Sequence, residues 1–308
     1  MPTKPPKQIS LPSGQNAFCL NKPEAVFLAQ EMPGYFDHGI DLPTGIDGSP
    51  PVVFDVGANI GLFTMLACHL SGGAVRVFGF EPIPETFEVL ALNAATCGSG
   101  VTVYNHAIGQ SEGMLTLTHF PQSSIWSSAC RPDEEADCER ERMCKGVEAV
   151  VEQGAVMPWL RFLPAALRKW LIRLSVRQMS RRVRLDSRVR PLSSVIAEQG
   201  VQKIDLLKID VEGAEIEVLA GISDAHWPLI RQVVIEVEKF DTRSREVELL
   251  LRRQGFNQIV VDQDKVDCSV NTGRLFARRT GACGDRSAGF RSACGARGGR
   301  RWRSQWRL

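Results

Sequence analysis

Residues 52–61 read Val52-Val53-Phe54-Asp55-Val56-Gly57-Ala58-Asn59-Ile60-Gly61. An almost unbroken apolar run leads into a turn that carries two glycines. A run of this kind predicts a strand buried on both faces. Residues 59–70 read as the helix after it. Moving outward, the sequence predicts a strand over 75–81, a helix over 84–95 and a strand over 101–107. Residues 114–120 alternate like a half-buried antiparallel strand. Residues 121–190 break this rhythm, which then returns with helix 192–199, strand 204–210, helix 213–220, strand 232–238, helix 243–254, strand 256–262 and a short terminal strand 273–279. Strands that alternate with helices build a mostly parallel, doubly wound α/β sheet. Right-handed crossovers gather the strand C-termini on one edge, where ligands bind.

The chain of 308 residues is long enough for one large domain or two small ones. An apolar fraction of 44% and a charged fraction of 23% are ordinary for a globular protein. The net charge of +2 conceals an acidic stretch at 133–152 and a basic one at 161–190. Three parts are expected: a Pro- and Gly-rich cap segment over 1–50, a main domain over 51–279 with a helical insertion at about 121–190, and a disordered Gly/Arg-rich tail over 280–308. The opening MPTKPPKQIS lacks an apolar signal core, and no apolar run approaches the roughly 18–20 residues of a membrane span. A cytoplasmic setting is therefore expected, with the nine cysteines reduced and no metal site, since none of them forms a CxxC pair.

The turn at 55–61 carries the sharpest chemical signal. Gly57 permits a tight bend, and Gly61 is expected to let the helix start close to the sheet. Amides at the helix N-terminus are then expected to face a polar ligand. A dinucleotide fingerprint needs glycines at 57, 59 and 62. Asn59 and Leu62 stand there instead, which disfavours nicotinamide and flavin cofactors. S-adenosylmethionine has no pyrophosphate and carries a cationic sulfonium, so an acidic loop with Asp55 suits it better. Glu81 closes the next strand, where an acid can accept ribose hydroxyls. The competing reading is that Glu81 caps the helix after Pro82.

These residues, with LLKIDVEGAEIEVLAG (206–221), resemble the FkbM family of S-adenosylmethionine-dependent methyltransferases. The resemblance covers roughly residues 10–279 and includes DVGANIGLFT (55–64), FEPIPETFEVLALN (80–93), NHAIGQSEG (105–113) and DVEG (210–213). QGFNQIVVDQD (254–264) and LFARR (275–279) look like members from natural-product clusters. The resemblance implies a class I methyltransferase (Rossmann-like) sheet with a terminal antiparallel strand, and transfer of a methyl group to a hydroxyl of a sugar or small metabolite. It places Asp55, Gly57, Asn59, Gly61 and Glu81 against the cofactor, with Asp210 facing it. His106 and Ala107, after the third strand, lie where adenine would sit.

Methyl transfer is an in-line displacement, so positioning supplies much of the rate and a base must take the hydroxyl proton. Alternation along 204–210 puts Lys208 and Asp210 on one face near the ligand edge. Asp210 is the first candidate for base or cofactor ligand, Lys208 stabilises it or serves as base itself, and Glu212 and Glu236 complete the catalytic candidates. The competing reading is a structural Lys208–Asp210 pair with Glu215 solvated in the first helical turn. His38 and His106 are expected in loops near the site.

Within 158–183, Trp159, Leu163, Leu167, Trp170 and Leu174 form an apolar stripe among Arg168, Arg173, Arg177 and Arg181. Pro164 argues against one unbroken helix. The stripe is expected to pack as a lid, paired with the acidic 133–152 segment, with a membrane-surface helix as the alternative. The Arg-rich tail could contact nucleic acid, but no aromatic RNA module accompanies it. The expected partner is therefore a small hydroxyl-bearing acceptor. The rivals are an RNA methyltransferase and a non-catalytic cofactor-binding subunit.

Overall fold

The computed structural model describes residues 5–44, 48–121, 128–129, 158–179, 182–263 and 271–279, with 141, 144–145, 147–148 and 151–152. The tail 280–308 and most of the acidic segment lie outside the described residues.

An antiparallel hairpin of β1 (Lys7–Ser10) and β2 (Asn16–Cys19) opens the chain, followed by α1 (Lys22–Glu31) and a 3-10 turn, Met32–Phe36. The expected core elements follow: β3 (Val52–Val56), α2 (Leu62–Leu70), β4 (Arg76–Phe80), α3 (Pro84–Thr96) and β5 (Val101–Tyr104). The strand expected over 101–107 stops at Tyr104, because the chain bends at Asn105–His106 and Ala107–Ile108 (β6) joins a different sheet. Beyond it lie β7 (Gly113–His119), β8 (Ser128–Ala129), a 3-10 turn Pro158–Phe162, α4 (Ala165–Met179) and β9 (Val183–Arg190). The second half adds α5 (Leu192–Glu198), β10 (Leu206–Ile209), α6 (Glu215–Ala220), β11 (Gln232–Glu238), α7 (Phe240–Arg253), β12 (Gln258–Asp262) and β13 (Thr272–Arg278).

The main sheet has seven strands in the order β12-β13-β11-β10-β3-β4-β5. All pairs from β11 to β5 are parallel, and β13 runs antiparallel to both of its neighbours. Alternation along the strands feeds two cores. Phe54, Leu207, Ile209, Val233 and Ile235 face α5, α6 and α7. Val53, Val77, Leu206 and Val234 face α1, α2 and the N-terminal hairpin. This is the doubly wound, mostly parallel α/β architecture that the alternation of strands and helices predicts, with the terminal antiparallel strand that the resemblance implies.

Two expectations for the insertion change. Residues 183–190 are not helical: β9 pairs antiparallel with β7 from Val183–His119 to Val189–Gly113. The β-branched and alternating side chains of this segment suit a strand, but the density of arginines masks the period. The apolar stripe also does not face inward. Trp159, Leu167, Trp170 and Leu174 are exposed. The helix instead buries Ile172 and Val176, one turn apart, against Phe120. The helix does begin after Pro164, as expected. Part of the expected acidic pairing is present, since Arg168 lies 3.2 Å from Glu152 and 3.8 Å from Glu148.

Candidate active site

The C-terminal ends of β3, β4, β10 and β11 meet at one edge, and the antiparallel β13 delivers its N-terminal end there too. Gly57 adopts φ +75°, and a Cβ on it would lie 1.7 Å from the carbonyl oxygen of Asp210. Only glycine allows the β3 turn to sit this close to the end of β10. Gly61 also has positive φ, but a Cβ there would meet Leu90 Cδ1 at 2.7 Å. Its smallness therefore serves the contact with α3, not the sheet as expected.

The turn amides also differ from expectation. Gly57 and Ala58 donate to the Phe80 carbonyl at 3.1 and 2.9 Å, and Gly61 donates to Ala58 at 2.8 Å. Asn59 N–H donates to Glu81 Oε2 at 3.0 Å, and Ile60 N–H to the Asn59 side chain at 2.7 Å. Every amide from 57 to 61 is thus satisfied within the protein. The turn therefore presents its side chains and the shape of its backbone, not its amides, at the sheet edge. Asn93, buried in α3, locks the turn from behind by donating to the Ile60 carbonyl at 2.7 Å.

Glu81 takes the Asn59 amide on one oxygen and the Ile83 amide on the other, at 3.0 and 2.9 Å. It therefore does cap the start of α3, and it still stands at the strand end expected of a ribose-facing acid. Each carboxylate oxygen has a second lone pair for a ligand. Burial pushes its pKa up to about 7, against the pull of the two amides and Lys208.

Lys208 is buried at the centre of the edge. Its Nζ donates to the Gly57 carbonyl at 2.7 Å and lies 3.2 Å from Asp55 Oδ1 and 3.3 Å from Asp210 Oδ2. Burial alone would lower its pKa, but Asp210 and Asp55 outweigh burial and raise it, so Lys208 stays a cation. A base role for Lys208 is thereby disfavoured. Asp55 is fully buried and accepts the Thr64 hydroxyl at 2.7 Å, which fixes it as a partner of Lys208 rather than a ligand-facing group. Asp210 keeps a part-exposed side chain.

The sequence did not single out Tyr35 or Arg274. The 3-10 turn Met32–Phe36 packs on α2 through Tyr35 and Phe36, whose rings lie 5.6 and 5.5 Å from Phe63. This places the Tyr35 hydroxyl 2.9 Å from Asp210 Oδ2 and 2.7 Å from Glu236 Oε2. Arg274 stands opposite Glu236 in the β11–β13 register and donates to Glu236 Oε2 at 3.1 Å. Burial and the nearby Asp210 charge raise the pKa of Glu236.

Glu212 occupies a left-handed turn at φ +53°. Burial and a hydrogen-bonded Glu238 hold its carboxyl well above the usual carboxylate range. Glu215 is not a solvated acid. It is buried, accepts the Gly213 amide at 2.6 Å and pairs with Arg243 at 3.4 Å. Burial pushes its pKa up to about 7. His106 lies just past β5 with its ring 5.6 Å from Phe80 and 5.5 Å from Tyr104, and burial lowers its pKa. Its Nε2 is buried and has no hydrogen-bond partner among the described residues. The neighbouring Ala107 is buried in β6. His38 is held by Asp262 at 2.8 Å and packs on Phe276, which gives it a structural role.

Residues 55–257 match the model of the methyltransferase FkbM domain, a span that begins at the buried Asp55 and ends after α7. The chain belongs to the FkbM methyltransferase family. It is 37% identical over 275 residues to the 31-O-demethyl-FK506 methyltransferase FkbM of Streptomyces tacrolimicus, covering 88% of this chain and 96% of that one. It is 33% identical over 250 residues to the methyltransferase sdnD of Sordaria araneosa, covering 78% and 85%. Among solved structures, fibrillarin of Aeropyrum pernix aligns over 90% of this chain and 84% of its own at 12% identity and a TM-score of 0.38. As an FkbM-family protein, the chain is an S-adenosylmethionine-dependent methyltransferase. Among its described residues, no helix is long and apolar enough to cross a membrane.

Proposed function

We propose that this methyltransferase transfers its methyl group to a hydroxyl oxygen of a small natural product, with Asp210 as the base. The observation that carries the reading is the Asp55–Lys208–Asp210 array. Lys208 is locked by Asp55 and Gly57, so Asp210 is held at the ligand edge with its side chain part-exposed. The name of the Streptomyces tacrolimicus relative, a 31-O-demethyl-FK506 methyltransferase, supports a hydroxyl of a small molecule as acceptor.

The residues fit S-adenosylmethionine. The edge is rich in carboxylates, as a cationic sulfonium and ammonium require, and the buried His106 Nε2 awaits a polar partner. Glu81 and Asn59 would hold the ribose, His106 and Ala107 would flank the adenine, and the turn at Gly57 and Gly61 would shape the floor. When bound, the cofactor supplies an electrophilic methyl carbon. Asp210 orients the acceptor hydroxyl and takes its proton as the new oxygen–carbon bond forms. Glu236 and Glu212 line the acceptor side.

The test compares metabolites from strains with and without the chain by mass spectrometry. The expected result is a product that becomes lighter by one CH2 when the chain is absent. Labelled methyl groups recovered in RNA, with an unchanged small-molecule profile, would overturn the reading.

A further inference from the structure

The protons around Tyr35 do not match the acceptors. Its hydroxyl oxygen lies within hydrogen-bond reach of two carboxylates, at 2.9 Å from Asp210 and 2.7 Å from Glu236. A phenol has one O–H to donate. If both carboxylates were ionised, one of these contacts would bring two oxygens together with no proton between them. At these separations that contact is repulsive. The geometry therefore calls for a second proton, carried by one carboxyl and donated back to the phenol oxygen.

The surroundings favour Glu236 as its holder. Asp210 faces the Lys208 cation at 3.3 Å. Glu236 receives one N–H from Arg274, and that guanidinium is shared with Glu31 at 3.4 Å. The Tyr35 ring is flanked by both cations, with Arg274 at 4.5 Å and Lys208 Nζ at 5.5 Å from its centroid. Tyr35 itself is buried, so it exchanges protons through its two carboxylates and not with water. Glu236 has a part-exposed side chain and opens to solvent.

We propose that Tyr35 is a positioning residue that links Asp210 to Glu236 as a proton relay for methyl transfer. The proposal rests on the functional reading above. In the resting protein the trio holds two protons, one on Tyr35 and one on Glu236. With the cationic cofactor bound, Glu236 would lose its proton to solvent, the added positive charge offsetting the second carboxylate beside Tyr35. As the acceptor oxygen bonds to the methyl carbon and the carbon–sulfur bond breaks, the acceptor's proton moves to Asp210. Asp210 passes it to the Tyr35 oxygen while the Tyr35 proton moves to Glu236. The trio then holds two protons again, and the sulfur leaves as a neutral thioether.

The test uses the full chain, its Tyr35→Phe and Glu236→Gln variants, and Glu212→Gln as a separate acid-pair variant, each checked for folding by circular dichroism. Infrared difference spectra at neutral pH report protonated carboxyls. Calorimetry of S-adenosylmethionine binding in two buffers of different ionisation enthalpy counts released protons. The expected result is a protonated-carboxyl band weakened in both Tyr35→Phe and Glu236→Gln, with the remainder carried by Glu212, Glu81 and Glu215. Proton release on cofactor binding should be clear in the wild type and smaller in the first two variants. A band that weakens only in Glu212→Gln and is unchanged in Tyr35→Phe and Glu236→Gln, or equal proton release in all forms, overturns the relay while leaving the methyltransferase reading standing. A folded wild type that binds no S-adenosylmethionine overturns both.

Discussion

Lys208 Nζ donates to the carbonyl oxygen of Gly57 at 2.7 Å, which ties the turn after β3 to the end of β10. The same ammonium neutralises Asp55, a fully buried carboxylate. Lys208→Met would leave Asp55 buried without its cation. Removing one partner of a buried pair costs about 3–5 kcal/mol. Denaturant unfolding should show a loss of this order, and a loss below roughly 1 kcal/mol, the scale of an exposed pair, would contradict the locking role.

Asp210→Asn keeps the shape and removes the charge. With Asp210 as base, turnover should fall about 10²–10⁴-fold while cofactor affinity changes little. Calorimetry and initial rates separate the two effects. Weakened affinity with surviving turnover at saturation would move Asp210 to the cofactor side and make Glu212 or Glu236 the base.

Glu81 shapes the pH profile. Its pKa is raised from 4.5 to about 7 in the folded protein. The folded state therefore binds the proton more tightly than the unfolded state. This contribution to stability is complete below pH 4.5 and is lost as pH rises through about 7. Glu215 acts in the same direction over the same window. Glu81→Gln cannot ionise, so relative to the variant the wild type should lose roughly 3 kcal/mol across that window. Unfolding curves at acidic and alkaline pH measure this, and parallel profiles would refute it. The same variant should bind S-adenosylmethionine more weakly, by about 1–3 kcal/mol, through the loss of charge-assisted bonds.

The two faces of α4 should respond differently to truncation. Ile172 is buried against Phe120, whereas Trp170 is exposed. Ile172→Ala should cost about 2–5 kcal/mol locally and open α4 to proteolysis. Trp170→Ala should stay within about 0.5 kcal/mol of the wild type. Equal sensitivity of the two variants to limited proteolysis would show that the exposed stripe is a packing face after all.

Local pattern made the sheet legible. The run 52–56 ends at a glycine turn, Glu81 closes the next strand, and alternation sets Lys208 and Asp210 on one face. Each of these signals is carried by residues close together in the chain. Tyr35 reaches Asp210 across 175 positions and Glu236 across 201, through a 3-10 turn with no periodicity of its own. Arg274 reaches Glu31 across 243 positions, and it stands opposite Glu236 through a register that only the folded sheet defines. The turn amides misled for a related reason. A glycine-containing turn before a helix invites a polar ligand, but Phe80 and Glu81 from the adjacent strand already take the Gly57, Ala58 and Asn59 amides. The stripe on α4 misled because a hydrophobic period shows that a face exists, without showing what covers it.

The placement of β13 between β12 and β11 has a consequence for synthesis on the ribosome. The strand that separates its two neighbours is translated after both of them, so β11 and β12 emerge with unpaired edges and wait for it. Those edges are liable to pair wrongly during that interval. Arg274, the guanidinium partner of Glu236, arrives on the same strand. The nascent chain therefore closes its sheet and completes its charge array in one late event. Pulse proteolysis of stalled chains should show protection appearing only once residues 272–278 have cleared the exit tunnel. Protection before that point would mean that β11 and β12 find another partner first.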